Sequence, residues 1–361
     1  MVRRISVGIL GATGIVGQQY VRLLAEHPWF EIAFLAASTS SMGKTYGEAI
    51  LGRKHCPIPE SILQLPVHGL EEIEIAKEKC HFVFSALPTE GAMRYEAVYA
   101  SHDLPVISNA SYHRLSADVP ILIPEVNPHH AQIIPIQQYN RKWEKGFIVT
   151  KPNCSVQSYI LPLAPLHAAF RVKKLFVTTL QAVSGAGYPG PSSLEMIDNV
   201  IPHIAQEEDK SESEPLKMWG EVRQNAIEPT DSIAISAHCN RVPVMDGHLV
   251  CVSVEFEEKP SLDAVIDLWR RFPGLDLPSA PRTPLIYREE VDRPQPRRDR
   301  DAGAGMSVTI GRLRPCPLTH YRFVALSHNT IRGAAGGGIL NAEFLVNQGY
   351  LSCKEIFTSQ K

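Results

Sequence analysis

Cys154 stands in VTKPNCSVQS, Val149 to Ser158, directly after Lys-Pro-Asn and just ahead of a long apolar run. Pro152 ends regular structure, so Asn153 and Ser155 bracket the cysteine at the expected first turn of a helix through SYILPL. A helix N-terminus lowers a thiol's pKa and leaves backbone N–H groups facing whatever the sulfur attacks. A nucleophile and an oxyanion site would then share one turn, which is what acyl transfer requires. The other six cysteines, at 56, 80, 239, 251, 316 and 353, form no CxxC pair and fit inert thiols.

A reacting thiol must give up a proton near neutral pH, and histidine is the side chain that titrates there. Among fourteen histidines, His129 and His130 sit in a polar turn, while His55, His81 and His238 adjoin cysteines without metal-ligand spacing. No metal is expected. His248 differs: in NRVPVMDGHLVCV it lies where a turn rich in Gly and Asp enters a strand. It is the candidate acid/base partner of Cys154.

A second chemistry is written near the N-terminus. ISVGIL is a short β-rich run, followed by GATGIVGQQYVRLLAEHP, where Val16, Tyr20, Leu23 and Leu24 recur at helical spacing. Strand, glycine turn and helix together predict a dinucleotide site. Glycines 11, 14 and 17 permit a tight turn and close approach to a pyrophosphate, whose charge the helix N-terminus attracts. Gly11, Thr13, Gly14, Ile15 and Val16 are the candidate contacts. An NAD site carries an acid about 20 residues beyond the glycines to hold the ribose hydroxyls. Here the second strand ends at Ala37, followed by Ser38, Thr39, Ser40, Ser41 and Lys44, donors without a carboxylate. Ser38 and Ser41 therefore suit a 2′-phosphate, and NADP is expected over NAD.

These groups need a frame. EIAFLAAS, HFVFSALP and LPVISNAS continue an alternating β/α pattern, predicting a parallel sheet covered on both faces. Beyond residue 150, KKLFVTTLQAVSGAG, GHLVCVSVEFEE and MSVTIGRL read as longer strands, predicting a second, mainly antiparallel sheet. The fold class is therefore α/β: a Rossmann-type domain followed by an α+β domain. Domain limits fall at 1–152 and 153–331, and GAAGGGILNAEFLVNQGYL, within 332–361, is expected to pack back on the first domain. Residues 287–301, rich in charge and carrying prolines, read as a solvated loop or a subunit-contact arm.

Length and charge agree with that frame. The 361 residues suffice for two domains, and a net charge of −2 gives no field of either sign. Nucleic acid and membrane surfaces are poor partners for such a chain. No apolar run approaches a membrane span, and no signal peptide is legible at the start. An odd cysteine count without a framework fits a reducing cytoplasm.

GATGIVGQ, AASTSSMGK, PEVNPHH, KPNCS, LQAVSGAG, NRVPVMDGH, MSVTIGRL and NTIRGAAGGG, in this order and spacing, resemble the aspartate-β-semialdehyde dehydrogenases, closest to their archaeal and fungal branch. The likeness runs over nearly the whole chain. It implies that Cys154 is the acyl-thioester nucleophile, His248 the acid/base, and Gln181 a substrate-placing amide. It implies that Arg241 grips the substrate's α-carboxylate, a task for a bidentate guanidinium. Asn109 and Arg114 are implied as phosphate ligands, Glu207 as the partner of the substrate ammonium, and Lys210 as a further phosphate ligand. Taken alone, the charge run 207–214 would be a solvated helix face. Ser184, Gly185 and Asn329 are implied at the nicotinamide end, and a homodimer or homotetramer through the second sheet. Ser40 and Met42 stand where that branch often has Arg and Ala, and KPNCS replaces a more usual Asn-Pro-Asn-Cys-Thr.

The implied reaction converts L-aspartyl-4-phosphate to L-aspartate 4-semialdehyde and phosphate with NADPH, in lysine, threonine and methionine biosynthesis. Three alternatives share parts of the sequence evidence: a reductase of a CoA thioester such as malonyl-CoA, a non-redox cysteine hydrolase or acyltransferase, and a non-catalytic NADP-sensing protein.

Overall fold

A computed structural model describes residues 4–351. Cys353 and the rest of 352–361 lie outside the described residues. The first sheet contains β1 (Ile5–Leu10), β2 (Phe30–Ala37), β3 (Val67–Gly69), β4 (Phe82–Ser85), β5 (Val106–Ser108) and β6 (Ile148–Thr150). Every pair is parallel, in the order β3-β2-β1-β4-β5-β6. This doubly wound order opens a crevice at the carboxyl ends of β1 and β4, where it reverses direction. One face of the sheet packs Ile5, Val7, Ile9 and Phe82 with Tyr20, and the other packs Phe34, Val83, Val106 and Ile148.

The second sheet contains β7 (Val172–Gln181), β10 (Ala234–Arg241), β11 (His248–Phe256), β12 (Leu285–Arg288), β13 (Val308–Pro315) and β14 (Tyr321–Ser327). A small hairpin, β8 (Glu221–Arg223) and β9 (Ala226–Glu228), stands apart. The order is β10-β7-β11-β14-β13-β12. The expectation of a mainly antiparallel sheet needs correction, because the sheet is mixed. Both edge pairs, β10 with β7 and β12 with β13, are parallel. Between β7 and β10 the chain crosses through the helix Glu207–Met218, which packs on β10. That crossover returns the strand in the same direction.

Helix Val156–Phe170 is the spine of this half, its Val156, Tyr159, Ile160, Leu163 and Leu166 joining Val177, Val250 and Val252 in one core. Helix Gly336–Asn347 is buried along its length and joins the core of the first sheet through Ile339, Ala342 and Leu345. Gly338 is obligatory there, because a Cβ would lie 1.9 Å from the Tyr20 hydroxyl. Residues 287–301 are more ordered than a solvated loop. Asp299 is buried and accepts from the Arg293 guanidinium and the Gln295 amide. A buried carboxylate needs such partners, and their geometry folds the segment back on the sheet.

Burial also fixes a pH response. His113, His130 and His167 are each pushed down from 6.5 to about 4 by burial, and His248 is pushed well below its usual value for the same first reason. Below about 6.5 the unfolded chain takes protons that these folded sites refuse until about 4, so stability falls across that window. Buried Glu96, whose carboxyl is raised, acts in the opposite sense but stands against six lowered imidazoles, His129 and His328 included. The urea midpoint is expected to fall steadily from pH 7 to pH 5. A midpoint flat across that range would contradict neutral burial of these rings.

Candidate active site

The polypeptide turns sharply between β6 and helix Val156–Phe170, and Asn153 shapes the turn. Its Oδ1 accepts from the Ser155 amide at 2.8 Å and the Ser155 hydroxyl at 2.7 Å. Such Asx bonding is how asparagine nucleates a turn. Cys154 therefore sits one residue ahead of the helix cap at Ser155. The Ser155 amide is already consumed, which corrects the expectation that the amides of this turn all face the reacting atoms. The sulfur is half-buried, with Gly333 so close that a Cβ there would come within 2.9 Å of the Cys154 Cβ.

Cys154 Sγ lies 3.2 Å from His248 Nε2. His248 is buried at the first position of β11, and its Nδ1 accepts the Ala182 amide at 3.0 Å. A neutral imidazole carries one proton, so the ring nitrogen facing the sulfur is the one that bears it. Burial, followed by the nearby Arg241 charge, holds the ring neutral. Ala182 serves a second side chain as well, since its carbonyl accepts from Arg241 Nη1 at 2.7 Å. One residue beyond β7 thus orients both Arg241 and His248. Gly185 closes over them, where a Cβ would meet Arg241 Nη1 and His248 Cε1 at 3.0 Å.

Helix Glu207–Met218 turns an acidic stripe inward. Glu207, Ser211 and Glu214 are buried at i, i+4 and i+7, one face of a helix. For these positions the solvated-face alternative fails. Glu207 accepts from Gln181 Nε2 at 3.0 Å, from Lys210 Nζ at 3.1 Å, and from Asn153 Nδ2 at 2.9 Å on both oxygens. Glu214 accepts from Arg114 Nη1 at 2.7 Å and from the Asn153 amide at 2.6 Å. Two carboxylates therefore anchor Asn153, and with it the position of the sulfur.

A cleft of about 500 Å³ runs from the glycine turn to the sulfur, lined by Thr13, Gly14, Ile15, Val16, Asn109, Arg114, Cys154, Ser184, Gly185 and Asn329 among others. Asn109 Oδ1 and Arg114 Nε are buried there without partners among the described residues. Asn329 Nδ2 donates to Ser184 Oγ at 2.8 Å and its Oδ1 accepts from the Gly247 amide at 2.8 Å, pinning that end. Gln181 and Lys210 are bonded to Glu207, and Arg241 and His248 to Ala182; none of these five side chains is part of the cleft lining. Ser38 and Ser41 are not brought into the lining either: Ser38 is exposed and bonds Ser40 at 3.0 Å, and Ser41 is buried. Sequence reasoning missed Ala182, Glu214 and the bonding role of Asn153. Only Glu214 left a usable signal, its seven-residue spacing from Glu207.

Two family models match the chain, "Semialdehyde dehydrogenase, NAD binding domain" over residues 6–134 and "Semialdehyde dehydrogenase, dimerisation domain" over residues 163–332. The aspartate-semialdehyde dehydrogenase of Archaeoglobus fulgidus is 47% identical over 96% of this chain and 99% of its own. The chain belongs to the semialdehyde dehydrogenase family. A malonyl CoA reductase (NADP) of Metallosphaera sedula is 39% identical over 97% of this chain and 99% of its own. The solved structure of aspartate semialdehyde dehydrogenase with NADP from Candida albicans superposes with a TM-score of 0.88 at 37% identity, covering 96% of this chain and 100% of that one.

The family's nucleotide fits the residues present. Gly11 has a φ of +78°, and a Cβ there would lie 2.7 Å from the Ala86 carbonyl. Gly14 caps helix Ile15–Leu24 with no side-chain bond, so the first helical amides remain open to an anion. Arg53 also lines this end of the cleft.

Proposed function

We propose that the chain interconverts L-aspartyl-4-phosphate and L-aspartate 4-semialdehyde through a thioester on Cys154, with NADP as redox partner. The observation that carries this reading is the 3.2 Å approach of His248 Nε2 to a sulfur lining the same cleft as the glycine turn. In the biosynthetic direction the sulfur attacks the acyl carbon, a C–S bond forms, and the C–O bond to phosphate breaks. The bound nicotinamide supplies the hydride that makes the aldehyde. Splitting one hard step into two is the advantage of the covalent route.

His248, neutral with a proton on Nε2, donates to the carbonyl oxygen as negative charge gathers on it. Arg241 holds the α-carboxylate, Glu207 the ammonium, and Gln181, whose Nε2 donates to Glu207, helps to place the substrate. Asn109, Arg114 and Lys210 receive phosphate, and the unpartnered Arg114 Nε, a donor, supports that assignment for Arg114. Gly11, Thr13, Gly14, Ile15 and Val16 receive the pyrophosphate, and Ser184, Gly185 and Asn329 the nicotinamide end; Ser38, exposed just past β2, remains open to a 2′-phosphate, whereas Ser41 is buried and does not. The same reading assigns 1–152 with the C-terminal helix to the nucleotide and 153–331 to catalysis and pairing of two or four copies. It places the enzyme in the cytoplasm, in lysine, threonine and methionine biosynthesis. Among the described residues no helix is long and apolar enough to cross a membrane.

Reduction of NADP by L-aspartate 4-semialdehyde is expected to require phosphate and to be faster than with NAD. Oxidation of NADPH by malonyl-CoA at a higher kcat/KM than by aspartyl phosphate would overturn the substrate assignment. His248→Asn should keep nucleotide affinity and lower kcat roughly 10² to 10⁴-fold, the usual range for such a donor or acid. An unchanged kcat would remove His248 from the chemistry.

A further inference from the structure

Helix Thr89–Ser101 packs on β5 with Ala92, Glu96, Tyr99 and Ala100 buried. Glu96 has 0% of its surface exposed, on a face that helical spacing otherwise gives to apolar and small side chains. Its Oε1 accepts from the Ser108 hydroxyl at 2.6 Å, and that hydroxyl accepts from the Ala110 amide at 3.1 Å. Its Oε2 has no hydrogen-bond partner among the described residues and faces His113 Nε2 at 3.9 Å, which has none either. Ser85, the register partner of Ser108 on β4, lies beside the same carboxyl and brings a third unpartnered atom, its Oγ. Native cores leave few buried polar atoms unpaired, so a carboxyl in this setting calls for a reason beyond packing.

What the carboxyl meets is the turn that carries Arg114. Ser108 and His113 stand immediately before Asn109 and Arg114, both of which line the cleft. Arg114 Nη2 donates to the Asn109 carbonyl at 2.6 Å, which couples the two ends of the turn. Glu96 therefore meets this turn at its start through Ser108 and at its finish through His113. The Ser108 link is a complete relay of hydrogen bonds, whereas the His113 contact is longer than a bond and restrains the far end more weakly. Burial pushes the Glu96 carboxyl up and His113 down to about 4, so it favours the uncharged form of each. An acid whose Oε1 accepts from Ser108 carries its proton on Oε2, opposite an imidazole nitrogen able to accept it. No net negative charge then lies next to a turn that has to receive an anion.

We propose that Glu96 is a positioning residue of the reaction, holding the turn from Ser108 to Arg114 so that the Arg114 guanidinium meets the phosphoryl group. Glu96 is not part of the cleft lining and acts through Ser108 and the Ala110 amide, with His113 at the far end. A carboxyl suits this task because one oxygen accepts while the other, protonated, donates, and an apolar side chain does neither. Arg114 has its Nη1 on Glu214 and its Nη2 on the Asn109 carbonyl, which leaves Nε as the buried donor without a partner. A donor fixed in this way serves only where the turn puts it, and a misplacement of about 1 Å costs much of its effect.

The inference rests on the reading that Arg114 receives phosphate, and the two can fail separately. Initial rates of NADP reduction by L-aspartate 4-semialdehyde, with phosphate varied and the other two saturating, give the phosphate KM of each variant. Glu96→Met is expected to raise it about tenfold or more, with kcat at saturating phosphate and the KM for NADP within about threefold of wild type. Ser108→Ala keeps the carboxyl and cuts the relay; it should raise the phosphate KM about fivefold, and it tests the relay even if Glu96→Met does not fold. Glu96→Gln, uncharged and of nearly the same shape, should stay within about threefold, because its amide accepts from Ser108 and donates toward His113. General loosening of the core would raise the KM for phosphate, NADP and semialdehyde together. That result overturns the inference, as does an unchanged phosphate KM in folded Glu96→Met or in Ser108→Ala, or a Glu96→Gln as impaired as Glu96→Met. An unchanged phosphate KM in Arg114→Met would overturn the reading beneath it as well.

Discussion

Replacing Cys154 by alanine is expected to lower kcat by about 10⁴-fold or more while nucleotide binding stays within a few-fold of wild type. The size follows from what is removed: without the sulfur no covalent intermediate forms, and the groups that act with it lose their object. Binding survives because the pocket is built by other residues. Asn153 is held by Glu207 and Glu214 whether or not a sulfur follows it, and the glycine turn lies on a different strand. Initial rates and quenching of protein fluorescence by NADPH check both halves. A rate within tenfold of wild type would dispose of the thioester route.

Gly17→Ala is the second large effect, and it acts through the backbone. A Cβ at position 17 would lie 2.2 Å from the Gly11 carbonyl oxygen and 2.7 Å from the Ala12 backbone. No side chain can swing aside, so either the turn or the helix must move. A cost of about 3 kcal/mol in stability is expected, at the upper end of overpacking losses, with nucleotide affinity lowered at least tenfold. Gly14→Ala is the control. Its Cβ would meet the Gly11 oxygen at 3.5 Å, an ordinary contact, and its φ of −75° suits any residue. Gly14→Ala should lose under about 1 kcal/mol of stability. Equal unfolding midpoints for the two variants would contradict the packing of helix Ile15–Leu24 on the turn.

Sequence patterns revealed the elements whose signal is local. β1, β2 and β4 are apolar runs with clear ends, and the glycine turn needs only its flanks to be recognised. β3 and β6 are three residues each, too short for any period to show. The mixed character of the second sheet was hidden for another reason. Whether β10 runs with or against β7 depends on the crossover between them, and the charge of Glu207–Met218 resembles a solvated helix until its buried face is seen.

The site divides in the same way. Cys154 announces itself through Lys-Pro-Asn, and His248 through its turn-to-strand position, but only the fold brings their side chains to 3.2 Å. Ala182 had no signal, because it acts through its backbone amide and carbonyl, which every residue carries. Ser38 and Ser41 show the converse, being chemically apt for a phosphate yet outside the cleft lining.

The most direct test of the thioester is the mass of the enzyme itself. Mixed with L-aspartate 4-semialdehyde and NADP in the absence of phosphate, then quenched in acid, the protein should gain one aspartyl group, mapped to the peptide containing Cys154 and released by added phosphate. A mass that stays unchanged while NADPH forms, or an acyl group found on any other residue, would contradict the account.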